Sequence, residues 1–173
     1  VHCDVSPSNV FISRVGEVKL GDFGVARVRV KSGVRDAVIA GKPYYLSPEA
    51  TGGEVTQAVD LWATAVVLFE LLTNERPFQG SNPAEVFAAI RSGRRAGVRE
   101  RRPEVSAGLE RVVDRALAPD SRSRFTTAAE GLEREVSGRV RIACPADVAE
   151  VVLVPLVPGL LAVACYEPLK LET

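Results

Sequence analysis

The stretch Val-His-Cys-Asp-Val-Ser-Pro-Ser-Asn at residues 1–9, followed by Asp-Phe-Gly at residues 22–24, decides the fold of this chain. Three of its side chains carry carboxylate or amide oxygens: Asp4, Asn9 and Asp22. The loop from Asp4 to Asn9 is short enough for both side chains to turn into one cleft. A hairpin between Asn9 and Asp22 would bring Asp22 to the same place.

Residues 10–12 (Val-Phe-Ile) and 18–20 (Val-Lys-Leu) are short β-type runs that predict a small hairpin. This hairpin would return Asp22 to the cleft. Phosphoryl transfer needs a carboxylate that orients the attacking hydroxyl and accepts its proton, and oxygen ligands for Mg²⁺. The pattern predicts Asp4 in the first role and Asn9 with Asp22 in the second.

These residues resemble the motifs of the eukaryotic-type protein kinases. Residues 2–4 with Asn9 are similar to the catalytic loop, and residues 22–24 to the metal-binding motif. Gly-Lys-Pro-Tyr-Tyr at residues 41–45 resembles the stretch that binds the substrate peptide. Ser-Pro-Glu at residues 47–49 resembles the motif that closes the activation segment.

Two later features extend the resemblance to about residues 1–137. Asp60-Leu61-Trp62 is similar to the start of the family's buried central helix. The resemblance implies that Asp60 is structural and holds the catalytic-loop backbone by hydrogen bonds. It also implies that Arg124 forms a buried pair with Glu49.

The fold that the resemblance implies is mainly α with a small β-hairpin, a protein-kinase-like C-terminal lobe of the α+β kinase fold. In this sequence no Gly-rich phosphate cover and no strand lysine come before the catalytic loop, so we expect this fragment to lack the N-terminal lobe and to be inactive alone. The predicted domains are a kinase lobe at residues 1–137 and a divergent apolar tail at residues 138–173.

The resemblance implies a protein serine/threonine kinase that transfers the γ-phosphate of ATP to protein hydroxyls, with Mg²⁺ as cofactor. The form Asp-Val-Ser-Pro-Ser-Asn at residues 4–9 resembles bacterial members, and the tyrosine-kinase form of the loop is absent. Two alternatives stay open. One is a pseudokinase-like module that docks partners through residues 78–102, and the other is an inactive gene remnant.

Three positions depart from the family pattern. Cys3 replaces an arginine that grips a phosphate on the activation loop, so we expect weak dependence on phosphorylation of that loop. Ser6 stands where serine/threonine kinases usually have a lysine, and Lys42 where they usually have threonine. Lys42 would then supply the missing cation, which makes it a predicted catalytic residue beside Asp4.

Composition limits the partners. Lys plus Arg and Asp plus Glu both number 22, so the formal net charge is zero, which argues against a nucleic-acid binder. Three widely spaced cysteines favour a reduced, cytoplasmic setting. The uncharged run at residues 151–166 is broken by Pro155, Pro158 and Gly159, so a membrane span is not expected there.

Four helices are predicted. Residues 58–73 are apolar on nearly every side, which is typical of a buried helix. A second helix starts at the Asn82 cap, and a third carries an apolar stripe from Leu109 to Leu117. A fourth opens at Thr127, while the arginine-rich residues 91–102 are predicted to form a solvated loop.

Overall fold

The computed structural model describes residues 1–12, 18–21 and 42–125. This part of the chain is mostly helical with little strand, as predicted. Three 3₁₀ turns lie at Pro7–Asn9, Pro43–Tyr45 and Ser121–Ser123. The strands and helices are β1 (Val10–Ile12), β2 (Val18–Leu20), α1 (Pro48–Thr51), α2 (Ala58–Thr73), α3 (Pro83–Ser92), α4 (Val98–Arg101) and α5 (Ala107–Ala116).

The predicted hairpin is confirmed. Strand β1 runs antiparallel to β2, with Val10 opposite Leu20. The backbone N–H of Gly21 donates to the carbonyl of Asn9 at 2.8 Å, which extends the pairing by one bond. The residue that precedes Asp22 is therefore held beside Asn9. Asp22 itself lies outside the described residues.

Helix α2 is buried along most of its surface, as its all-round apolar sequence predicts. Asn74 caps its C-terminal end, adopts the left-handed conformation (φ 58°) and donates its N–H to the Glu70 carbonyl at 2.7 Å. Its 16 residues are fewer than a membrane span needs. Among the described residues, none of the helices is both long and apolar enough to span a bilayer.

The hydrophobic core forms around α2, which packs against α4 and α5. Trp62 is fully buried and stacks on Phe78 with ring centroids 5.2 Å apart. The largest fully buried side chains are Trp62, Phe69, Phe78, Leu68, Ile90, Leu109, Leu117, Val66, Val86 and Val98. They come from α2, α3, α4, α5 and the connecting segments, so one core unites the helices.

The caps of α3 and α5 follow from local sequence. The side chain of Asn82 accepts from the N–H of Glu85 at 3.0 Å, which satisfies a backbone donor at the start of α3. Ser106 caps α5 by accepting from the N–H of Leu109 at 3.2 Å. Helix α5 buries the apolar stripe that the sequence predicts.

The prediction of a solvated loop at residues 91–102 is wrong in part. Helix α3 extends to Ser92, and α4 occupies Val98–Arg101. Val98 is fully buried in the core, and its packing stabilises a helical turn in this segment. Because most of its neighbours are arginines, the sequence did not indicate that this segment packs against the core. The fourth predicted helix, from Thr127, lies outside the described residues.

The predicted pair of Glu49 and Arg124 is confirmed. Arg124 Nη1 and Nη2 donate to the two Glu49 carboxylate oxygens at 2.7 and 2.9 Å. The remaining donors bond the carbonyls of Ala118, Ala58 and Pro119. The Arg124 side chain is fully buried, and its five hydrogen bonds match the five N–H groups of a guanidinium. The pair thus joins α1, the start of α2 and the segment after α5.

Replacing Arg124 with Met should lower the free energy of unfolding by about 3–5 kcal/mol, because Glu49 would keep a charge at a site without its partner. Urea unfolding of the full chain measures this. The matched control is Arg122→Met, two positions away on the surface, where the side chain is 89% exposed. Equal unfolding midpoints for the two variants would contradict the structural importance of the pair.

Candidate active site

Asp4 and Asn9 lie together at the end of the hairpin, as the sequence predicts. Asn9 is buried, and its Nδ2 donates to the backbone carbonyl of Asp4 at 2.7 Å and to Asp4 Oδ2 at 2.9 Å. These two bonds fix the rotamer of Asn9 and leave its Oδ1 oxygen directed away from Asp4. The loop between them is shaped by the 3₁₀ turn Pro7–Asn9.

Lys42 reaches the same place from a distant part of the chain. Its Nζ donates to Asp4 Oδ1 at 3.2 Å, to Asp4 Oδ2 at 3.1 Å and to Asn9 Oδ1 at 3.4 Å. The Asp4 side chain is 11% exposed and that of Lys42 21%. A carboxylate, an amide oxygen and an ammonium group therefore share one partly buried cluster.

The carboxylate of Asp60, in the first turn of α2, holds the backbone that carries Asp4. Its two oxygens accept from the N–H of His2 at 2.6 Å and of Cys3 at 2.7 Å. The structural role predicted for Asp60 is confirmed. Cys3 has a φ of 62°, a left-handed conformation that costs energy for a residue with a side chain. The bonds to Asp60 offset that cost.

His2 is an anchor and not a base. Its ring is buried, and Nδ1 accepts from the N–H of Asp4 at 3.2 Å. The proton therefore sits on Nε2, which donates to the carbonyl of Gly21 at 2.7 Å. Through one ring, His2 ties the loop of Asp4 to the end of β2.

The Cys3 thiol is partly buried and lies near the Asp60 carboxylate. Burial raises the pKa of the Cys3 thiol above its ordinary value, and the nearby Asp60 carboxylate raises it further. Because the thiolate is the nucleophilic form, a raised pKa makes the Cys3 thiol less nucleophilic. This favours a simple replacement over a reactive thiol at this position.

A second network, which the sequence did not predict, fixes the segment after Lys42. The Tyr45 hydroxyl donates to Glu70 of α2 at 2.9 and 3.2 Å, and Arg76 Nε donates to Glu70 at 3.2 Å. The guanidinium carbon of Arg76 lies 4.0 Å from the centroid of the Tyr44 ring. Burial raises the pKa of Glu70. The segment that carries Lys42 is thus attached to the central helix.

Asn9 Oδ1 is an oxygen of the type that Mg²⁺ prefers as a ligand, and bound Mg²⁺ keeps several waters. The Lys42 ammonium group contacts this oxygen at 3.4 Å and Asp4 Oδ1 at 3.2 Å. Within the described ranges, no three or more His, Cys, Asp or Glu side chains gather as a metal site. The third oxygen predicted from the sequence, that of Asp22, lies outside these ranges.

Residues 1–136 match the family model for the protein kinase domain. The chain belongs to the protein kinase family. The match covers the catalytic loop and every described helix of this kinase domain. The resemblance inferred from residues 2–4, Asn9 and the later motifs is therefore confirmed.

The kinase domain is similar to several bacterial proteins. It is 38% identical over 142 residues to the tyrosine-protein kinase MasK of Myxococcus xanthus, and this alignment covers 79% of the present chain and 22% of MasK. It is 40% identical over 141 residues to the serine/threonine-protein kinase PknB of Mycobacterium tuberculosis, and this alignment covers 75% of the present chain and 21% of PknB. A probable PknB of Lactococcus lactis is 35% identical over 132 residues. The chain thus spans about a fifth of the length of these relatives.

Replacing Asp60 with Asn should lower the free energy of unfolding of the kinase domain by roughly 1–3 kcal/mol, because an amide can accept only one of the two N–H bonds. The amide NH₂ would face the second donor. Urea unfolding checks the size of the effect. The control is Glu104→Gln, an exposed carboxylate-to-amide change on the surface. If Asp60→Asn is no more destabilising than this control, Asp60 does not hold the loop.

The Tyr45 network makes the free energy of unfolding depend on pH in the alkaline range. Burial, with the Glu70 carboxylate, raises the pKa of the Tyr45 phenol well above its ordinary value of 10.0. The contribution to stability is therefore full below about pH 10 and declines as the pH rises above it, where the unfolded phenol ionises.

We expect the stability difference between the native chain and Tyr45→Phe to shrink from about pH 9 to about pH 11. Urea midpoints across this range measure the difference. Tyr44→Phe is the matched control, since the Tyr44 ring contacts Arg76 through its face. A difference that does not change with pH would contradict the network.

Proposed function

We propose that this chain carries the catalytic loop of a protein serine/threonine kinase. The observation that supports this most strongly is the cluster of Asp4, Asn9 and Lys42, whose polar atoms lie within 3.4 Å of one another. Because the chain belongs to the protein kinase family, phosphoryl transfer is the chemistry that we propose for this cluster. The described domain would correspond to the family's C-terminal lobe.

Asp4 would act as the base that receives the proton of the acceptor hydroxyl. The hydroxyl oxygen forms a bond to the γ-phosphorus of ATP, the bond from that phosphorus to the bridging oxygen breaks, and ADP leaves. Asp4 is suited to this role because its position is fixed by Asn9 and, through the backbone, by Asp60. Its carboxylate is partly exposed, so a peptide hydroxyl can approach it.

Asn9, with Asp22, would hold Mg²⁺. When bound, Mg²⁺ neutralises negative charge on the phosphates. Asn9 contributes through Oδ1, because its Nδ2 is already committed to Asp4. Burial of Asn9 keeps this oxygen in one orientation.

Lys42 would steady the transferred phosphoryl group. Its ammonium group lies at the Asp4 carboxylate, beside the position that an attacking hydroxyl must take. A cation there stabilises charge that develops on the phosphoryl oxygens in the transition state. In this chain Lys42 would replace the lysine that is absent at Ser6. Its contact with Asp4 supports its assignment as a catalytic residue.

Serine and threonine are the proposed acceptors. The catalytic loop lacks the tyrosine-kinase form, and PknB carries a serine/threonine-kinase name, whereas MasK carries a tyrosine-kinase name. Partners would be ATP and a protein substrate, with no nucleic acid, and the proposed compartment is the cytoplasm. Analysis of the phosphorylated residue in a generic protein substrate, with the full-length protein and Mg-ATP, separates the two acceptor classes.

Lys42→Ala should lower kcat by on the order of 10²-fold, because it removes a transition-state cation. Asp4→Asn should have at least as large an effect, and Lys42→Arg should restore part of the loss. The measurement is transfer of radiolabelled γ-phosphate by the full-length protein. Arg122→Ala, which changes one surface charge, serves as the control.

A near-normal rate for Lys42→Ala would remove Lys42 from the chemistry. No phosphate transfer by the unmodified full-length protein would favour a binding module over an enzyme.

A further inference from the structure

An arginine-lined cleft lies away from the Asp4 cluster, between the end of α2, the end of α3 and the segment before α4. Its volume is about 210 Å³. The charged side chains that line it are Arg76, Arg94, Arg95, Arg101 and Glu75, and the Phe69 ring contributes apolar surface. We refer to it below as the arginine cleft.

The four arginines differ in how firmly they are engaged. Arg95 is nearly buried and pairs with Asp114, so its charge is already balanced. Arg101 contacts Glu75 at 3.5 Å, but these side chains are 46% and 41% exposed. Exposed pairs of this kind contribute little, so Arg101 can turn to another anion at low cost.

Arg94 is the least engaged member of the arginine cleft. It is exposed, and within residues 42–125 its guanidinium makes no hydrogen bond or ion pair; only its backbone N–H bonds, to Ser92. A guanidinium at the rim of a concave site, without a carboxylate partner, favours an anionic ligand.

The surrounding sequence adds to the positive charge. Residues 91–102 contain six arginines and one glutamate, in a chain whose formal net charge is zero. Ion pairs with Asp114, Glu75 and Glu104 involve three of these arginines. The positive charge that remains attracts acidic partners and raises their rate of association.

The size of the arginine cleft limits what it can hold. Pockets for small-molecule ligands span roughly 300–1,000 Å³, more than the 210 Å³ found here. One side chain fits better than a nucleotide. Arginine forks bind carboxylates by paired, charge-assisted hydrogen bonds. A glutamate or aspartate side chain satisfies both the volume and the charge.

Arg76 connects the arginine cleft to the candidate active site. The same side chain that lines the cleft also covers the ring of Tyr44, in the segment that begins at Lys42. Glu70 holds Arg76 in this position. The arginine cleft therefore borders the segment that resembles the family's peptide-binding stretch.

We propose that the arginine cleft binds a carboxylate side chain of an acidic segment in the protein that is phosphorylated. The identity of the partner as a phosphoryl acceptor rests on the proposed kinase function. The cleft thereby selects substrates in which acidic residues accompany the acceptor hydroxyl, with Arg94 and Arg101 as the principal ligands.

The test uses the full-length protein and two fluorescein-labelled peptides. One is rich in Glu and carries a single acceptor Ser, and the other has Gln in place of every Glu. Fluorescence anisotropy at about 50 mM salt, where surface charges are weakly screened, measures the Kd of each peptide. Steady-state phosphate transfer to the same peptides measures kcat/KM.

We expect the Glu peptide to bind about tenfold more tightly than the Gln peptide, as a charge-assisted pair permits. Arg94→Glu should remove most of this preference in both Kd and kcat/KM. Arg122→Glu is the matched control, because it reverses one exposed arginine outside the arginine cleft and should preserve the preference. A loss confined to Arg94→Glu supports the proposal.

Equal binding of the two peptides would overturn the proposal, as would an equal loss in Arg94→Glu and Arg122→Glu. Anisotropy needs no phosphate transfer, so it decides the question of the arginine cleft by itself. Tight, Arg94-dependent binding without phosphate transfer would refute the kinase function and leave a docking site for acidic segments. Transfer to both peptides at equal kcat/KM, with equal Kd, would refute the cleft and leave the kinase function intact.

Discussion

The buried ion pair between Glu49 and Arg124 is the constraint on which the described domain depends. A guanidinium without access to water must find a partner for every N–H group, since a buried charge with unmet donors is strongly destabilising. Arg124 meets this demand with one carboxylate and three backbone carbonyls. The partners come from three segments that are distant in sequence. Satisfying one side chain therefore sets the relative positions of α1, α2 and the chain after α5.

From this framework, the candidate site is positioned by polar contacts with α2. Asp60 at the start of the helix holds the backbone of residues 2 and 3, and Glu70 near its end holds Tyr45 and Arg76. The loop of Asp4 and the segment of Lys42 are thus attached to opposite ends of one buried helix. The packing of that helix in the core therefore supports both segments, whose side chains Asp4 and Lys42 contact each other directly.

The sequence predicted the hairpin, α2, the cap at Asn82, the role of Asp60 and the Arg124 pair, because each leaves a local pattern or a family motif. It also placed Lys42 near Asp4 by reasoning about a missing cation. It did not predict the Tyr45 network, since a hydrogen bond between residues distant in sequence leaves no periodic signal. It missed α4 because a single buried valine, Val98, outweighs its arginine neighbours. The arginine cleft likewise depends on side chains brought together only by folding.

The stacking of Trp62 gives the molecule an optical label. Trp62 is the only tryptophan in the chain, and it lies between the Phe78 ring and the Arg124 guanidinium, which is 4.6 Å from its own ring. Its indole Nε1 is buried and has no hydrogen-bond partner within the described part of the chain. Indole emission responds to polarity and to nearby cations. Intrinsic fluorescence therefore reports directly on the interior around Arg124, without any attached dye.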